Sequence, residues 1–139
     1  MEIKLCYKTY NAKVSLEACK AFYDATGEDL QSVLLKYIDM CRSTLEMDLI
    51  GRMSAFMGIV KFEVAAQAIY ALVRTENKNI PLEEIRDGMF RVSWLPSDRT
   101  DDLSEPWCMV MLSIATQVNE YFAKNVPVKK KATKGKNKA

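Results

Sequence analysis

Seven of the 20 basic residues fall within Lys124 to Ala139, a stretch that carries no acid, whereas the rest of the chain holds the other 13 and all 18 acidic residues. The formal net charge of +2 therefore conceals a body at −5 and a tail at +7. A run of like charge with almost no apolar content buries too little surface to offset the entropy of ordering. Residues 127–139 are accordingly expected to form a disordered Lys-rich tail. The foldable chain is residues 1–126, one helical domain whose last helix is stopped by Pro127.

With 49% hydrophobic residues, a body of about 125 residues can bury roughly two thirds of its unfolded surface as one domain. Cys6, Cys19, Cys41 and Cys108 are scattered without close pairs, and no charged start followed by an apolar run marks a secretory signal. A reduced, cytoplasmic protein with buried structural thiols is expected. No uninterrupted apolar run approaches the ~18 residues of a membrane span.

The chain contains no histidine, which removes the commonest general acid/base near neutral pH and the commonest metal ligand. Ser-His-Asp and Cys-His catalysis are excluded. The cysteines do not have paired-ligand spacing for zinc, and Gly27, Gly51, Gly58, Gly88 and Gly135 never cluster into a phosphate loop. No cofactor and no enzymatic activity are expected.

Along the chain the start reads as extended and the remainder as helical. Glu2 to Tyr7 alternates polar and apolar residues, and Ala12-Lys13-Val14 reads as a second short strand, giving a small β-hairpin. Ser15 is a good N-cap and Gly27 a good terminator for a helix with Leu16, Cys19, Phe22 and Tyr23 on its apolar side. From about Asp29 to Arg42, Leu30, Val33, Leu34, Tyr37, Ile38 and Cys41 recur at spacings of three and four. Ser43 with Glu46 reads as the capping box of a third helix, bearing Leu45, Leu49, Ile50, Met53, Phe56 and Met57 on one face before Gly58.

A fourth helix, about Lys61 to Arg74, turns Val64, Ala65, Ala68, Ile69, Leu72 and Val73 inward, and Pro81 opens a fifth that reaches about Phe90. Pro96 to Pro106 reads as a mobile acidic loop. The last helix, from Trp107 through Phe122, is apolar nearly all round at its start, so it is either central to the core or in contact with another chain. The fold class expected is mainly α: a compact domain of five to six helices with a short N-terminal β-hairpin and a basic tail.

Candidate sites follow from what these elements leave over. Asp98, Asp101, Asp102 and Glu105 offer oxygen ligands but lack the alternate spacing and turn glycine of a calcium loop, so a solvated loop explains them. Glu83, Glu84 and Asp87 read as acids complementing a helix dipole. Eight methionines either fill an irregular core or line an adaptable groove for a partner helix. In the second case Met53, Phe56 and Met57, or Trp107 with Met109, would form that groove, and Trp94 and Leu95 are further candidates for partner contact. The lysine tail has no aromatic residue and no arginine to stack on bases or read them. Its only route to nucleic acid is phosphate charge, which the acidic body opposes, so a small nucleic-acid-binding or adaptor protein is the alternative rather than the first reading.

The order of short motifs is more informative than any of them singly. Phe22-Tyr23-Asp24-Ala25-Thr26-Gly27-Glu28-Asp29-Leu30 ends one helix, Ala66 to Arg74 lies within a later one, and Ile80-Pro81-Leu82-Glu83-Glu84-Ile85 opens the next. Over roughly residues 1–92 this resembles the tail assembly chaperones of long-tailed, lambda-like bacteriophages and prophages, in which an aromatic-x-x-x-Thr-Gly-x-x-Leu helix end and a Leu-Glu-Glu-Ile-like helix start recur in that order. Pro81 stands where a threonine-like cap is more familiar, and the stretch after Trp94 has no counterpart. The resemblance implies a non-enzymatic morphogenesis factor of the host bacterial cytoplasm, absent from the finished virion, that self-associates and keeps the tape measure protein soluble. It also implies a longer frameshifted form that recruits the major tail tube protein. Lys129-Lys130-Lys131, if encoded by adenines, would be the slippery site.

Overall fold

The computed structural model describes residues 1–5, 8–91 and 106–125. Trp94, Leu95, the acidic loop, Lys129 to Lys131 and the tail expected at 127–139 lie outside the described residues. Within them the order is β1 (Glu2–Leu5), β2 (Lys8–Asn11), α1 (Leu16–Thr26), α2 (Leu30–Ser43), α3 (Leu49–Ile59), α4 (Phe62–Arg74), α5 (Leu82–Arg91) and α6 (Trp107–Asn125). The fold is mainly α with a small N-terminal hairpin, as expected.

β1 and β2 pair antiparallel, with Glu2 opposite Asn11 and Leu5 opposite Lys8. The second strand is therefore Lys8–Asn11 rather than Ala12 to Val14. Ala12 still exchanges hydrogen bonds with Met1, but the N–H of Lys13 donates to the Leu72 carbonyl at 3.0 Å, so the chain leaves the ladder to be held by α4. Ile3, Leu5 and Tyr10 point into the core. On α5, Gly88 lets this hairpin come close, since a Cβ there would lie 3.2 Å from Leu5 Cβ.

Local chemistry sets most helix ends. Ser15 Oγ accepts from the Ala18 N–H and Asp29 Oδ2 from the Ser32 N–H, each at 3.0 Å. Gly27 adopts φ +76°, a left-handed conformation, and its N–H closes α1 on the Tyr23 carbonyl at 2.7 Å. The buried side of α1 is Ala18 and Phe22. Leu16 and Tyr23 are exposed and Cys19 half-buried, so the expected apolar stripe is displaced by about one position.

The expected capping box at Ser43 and Glu46 does not form. Ser43 closes α2, its hydroxyl donating to the Asp39 carbonyl at 3.0 Å, and Asp48 caps α3 by accepting from the Gly51 N–H at 2.8 Å. α3 then runs past Gly58 to Ile59.

α4 is the most buried element, with Ala65, Ala66, Ala68, Ile69, Ala71, Leu72 and Val73 all inside. Its alanines let α1 pack closely through Ala18. α6 buries Trp107, Cys108, Val110, Met111, Ile114, Ala115 and Val118 and packs on α2, α3 and β1. Its wide apolar start is thus central to the core, and Trp107 meets Phe62 edge to face with centroids 5.8 Å apart. Among the described residues no single helix is long and apolar enough to cross a membrane.

Candidate functional site

The methionine groove expected from the sequence is not an open surface. Met53 and Phe56 are buried, only Met57 of that trio is exposed, Trp107 is buried and Met109 half-buried. The reason is angular. Met53 and Phe56 share with Val60 the side of α3 that faces the core, where Phe56 stacks on Tyr37. Ile50 and Met57, three residues before and four after Met53, stand at the flank of that side, where they are exposed. Trp107 is likewise taken by Phe62. Core filling accounts for Met53, Met89 and Met111, which are all buried.

The thiols divide in the same way. Cys108 is buried and Cys19 and Cys41 only half-buried. Burial pushes the Cys108 thiol up to about 11 and, together with the nearby Asp29 carboxylate, raises that of Cys19. Cys41 Sγ lies 3.2 Å from Arg52 Nη2, and Arg52 Nε donates to Thr44 Oγ1 at 3.1 Å. This guanidinium also lies 5.9 Å from the Phe56 ring centroid, and so ties the end of α2 to α3.

Glu83 and Glu84 act as supports. Glu84 Oε2 accepts from Lys8 Nζ at 2.6 Å and the Tyr10 hydroxyl at 2.7 Å, bonds that hold its carboxyl below the usual range. Arg86 bridges Glu83 and Glu63, and its hydrogen bond lowers the Glu63 carboxyl. Among the described residues no three His, Cys, Asp or Glu side chains converge as a metal site.

What the fold does leave open is an apolar cleft of about 250 Å³ between α2 and α6, lined by Gln31, Leu34, Leu35, Ile38, Ala115, Val118 and Asn119. Cys108 lies near Tyr37 while Val118 and Asn119 border the same cleft as Gln31, so the two helices run antiparallel with the cleft along their seam. Leu34, Ala115 and Val118 form its floor, Ile38 is half-buried and Leu35 stands at the rim 60% exposed. Apart from Gln31 and Asn119 the lining is apolar, and none of it is charged. The sequence signal was the Leu34-Leu35 pair: Leu35 adds an apolar residue just outside the buried stripe of α2.

A second cleft of about 360 Å³ lies between α1 and α4, but its rim sets Glu17 against Arg74 and Lys78. Arg74 also covers the Tyr70 ring at 5.5 Å. That mixed rim favours neither sign of ligand charge, and the α2–α6 cleft remains the better binding candidate. In comparisons with known proteins, no family model, no curated protein and no solved structure matches this chain.

Proposed function

We propose that this chain is a phage tail assembly chaperone that binds the tape measure protein and keeps it soluble while tail tube subunits assemble, with an amphipathic helix of that partner seated in the α2–α6 cleft. The observation that carries the reading is the uncharged seam of Leu34, Leu35, Ile38, Ala115 and Val118 with Leu35 at its rim. An apolar groove between antiparallel helices suits the stripe of a third helix, contacted every three or four residues. Weak contacts of this kind add up when many copies line one long chain. The order of motifs along residues 1–92 supports the same reading, and a longer frameshifted form would extend it to the tube protein.

Co-expression with a phage tape measure protein tests the reading. The wild-type chain is expected to carry it into the soluble fraction and co-purify with it. Leu35→Asp, at a solvent-facing position, should stay folded and lose the complex. A tape measure protein that is equally insoluble with and without the wild-type chain would overturn the proposal. Capture that persists unchanged with Leu35→Asp would reject the cleft as its seat.

A further inference from the structure

Among the described residues, four of the ten large apolar side chains that face solvent fall at the corner where α2 gives way to α3: Leu45 (66% exposed), Met47 (48%), Leu49 (56%) and Ile50 (61%). Met57, two helical turns after Ile50, extends the patch along the flank of α3. The turn itself needs none of them, because Ser43 closes α2 and Asp48 caps α3 through polar contacts. Single exposed leucines are ordinary, but these lie side by side in a patch on the order of 400–500 Å², a size at which exposed apolar surface is often functional. Two acids are threaded through it. Glu46 and Asp48 are exposed, and neither forms an ion pair among the described residues. Arg52 is turned inward onto Thr44 and Cys41, and Arg42, exposed at the end of α2, pairs with neither acid.

We infer that this corner docks a basic amphipathic helix of another protein. Its apolar stripe would lie on Leu45, Leu49, Ile50 and Met57, and its Lys or Arg side chains would reach Glu46 and Asp48. Ile50, Ser54 and Met57 recur along α3 at spacings of four and three, which makes a ridge against which a second helix packs lengthwise. The short side chain of the exposed Ser54 lets that helix come close.

Charge decides between the occupants that an apolar patch could take. An anionic lipid surface would meet two unpaired carboxylates on a body at −5, and a second copy of this chain would bring the same charges against them. The chain's own tail supplies lysines but no large apolar residue after Val128, so it would satisfy the acids and leave the patch bare. A segment that is apolar on one side and cationic on the other meets both halves. The patch is smaller than the ~800 Å² that each partner gives to a standard stable interface, so the complex is weak and reversible. Leu45 lies ten residues beyond Leu35, past the end of α2 that is remote from Gln31, and the inference stands whether or not the α2–α6 cleft binds a tape measure protein.

A synthetic Leu-Lys peptide about four turns long, with its leucines on one helical face, tests the docking when titrated into the full chain and followed by amide NMR. Shifts are expected over residues 45–58, with a Kd on the order of 100 µM that rises with salt. Leu45→Ser with Ile50→Ser, both at solvent-facing positions, should weaken binding about tenfold. Glu46→Gln with Asp48→Asn, which keeps an oxygen for the Gly51 N–H, should weaken it less and remove most of the salt dependence. Leu35→Asp, in the α2–α6 cleft, should leave it unchanged. If the paired variants fail to fold, two further peptides on wild type decide the matter: a scrambled one without the apolar face and one with Glu in place of Lys, both expected to bind about tenfold more weakly. No shifts over residues 45–58, binding unaffected by the Leu45 and Ile50 changes in a folded variant, or equal binding of the scrambled or Glu peptide would each overturn the proposal. So would tighter binding of the corner to phosphatidylglycerol vesicles, shifts at the corner that depend on the concentration of the chain alone, or shifts there on deleting residues 127–139.

Discussion

Tyr37 and Phe56 stack with ring centroids 5.5 Å apart and planes within 10°, joining α2 to α3 in the centre of the core. Among the described residues the Tyr37 hydroxyl has no hydrogen-bond partner, although the residue is wholly buried. Burial, with the Cys108 thiol nearby, raises this phenol well above its ordinary range, so it is a neutral donor held in an apolar setting.

Removing only the hydroxyl should therefore do no harm. Tyr37→Phe is expected to leave stability unchanged or raise it by about 1–2 kcal/mol, since an unmade buried hydrogen bond is relieved. Phe56→Ala should lose about 3–5 kcal/mol by opening a cavity against the same ring. Urea unfolding of the two variants checks both signs.

The left-handed turn at Gly27 makes a second test. Gly27→Ala forces a side chain into φ +76°, although the surrounding space is open, and should cost about 1–2 kcal/mol from backbone strain alone. Replacement by Asn should cost less than by Ala, a ranking that steric crowding would not produce.

Acid should loosen the hairpin. Hydrogen bonds from Lys8 and then Tyr10 hold the Glu84 carboxyl below its unfolded value, so their stabilisation is fully present above the unfolded pKa. It is lost as the pH falls through the lowered one, in a window of about pH 5 to 3. Lys8 is 62% exposed, which keeps the contribution under ~1 kcal/mol. Glu84→Gln should flatten that part of the stability–pH profile, measured by thermal unfolding.

Thiol chemistry should separate Cys108 from the half-buried Cys19 and Cys41. With its pKa pushed up to about 11 and no exposure, Cys108 should react with an aromatic disulfide at pH 8 only as fast as the core opens. Digestion and mass analysis after partial labelling would assign the rates, and a Cys108 that labels as fast as Cys41 would contradict its placement in the core.

The sequence disclosed those parts of the fold that depend on neighbours in the chain. Ser15, Asp29 and Gly27 mark their helix ends by bonds that span three or four residues, and the stripe of α2 follows from spacing alone. It was misleading where distant partners decide. Lys8–Asn11 hardly alternates, having only Tyr10 buried, and it is a strand because Met1, Leu5 and Glu84 hold it there. Ser43 and Glu46 satisfy a capping motif, yet the chain continues one helix through Ser43 and opens the next at Asp48. On α3 Ile50, Met53, Phe56 and Met57 belong to one broad apolar stripe, so periodicity could not say that Met53 and Phe56 are buried while Ile50 and Met57 at its flank are exposed. The α2–α6 cleft was hidden for a related reason: its two walls lie some eighty residues apart, and only their antiparallel packing brings Leu35 beside Val118.

The central position of α6 bears on how the protein is made. Because Trp107 to Val118 fills the space between α2, α3 and β1, a nascent chain that has emerged from the ribosome only as far as α5 lacks the helix that closes its core. Gln117, whose side-chain amide donates to the Glu2 carbonyl, then joins the last helix made to the first strand. Folding is thus completed after nearly the whole body has been translated, and until that moment the inner faces of α2 and α3 are open to other chains emerging nearby.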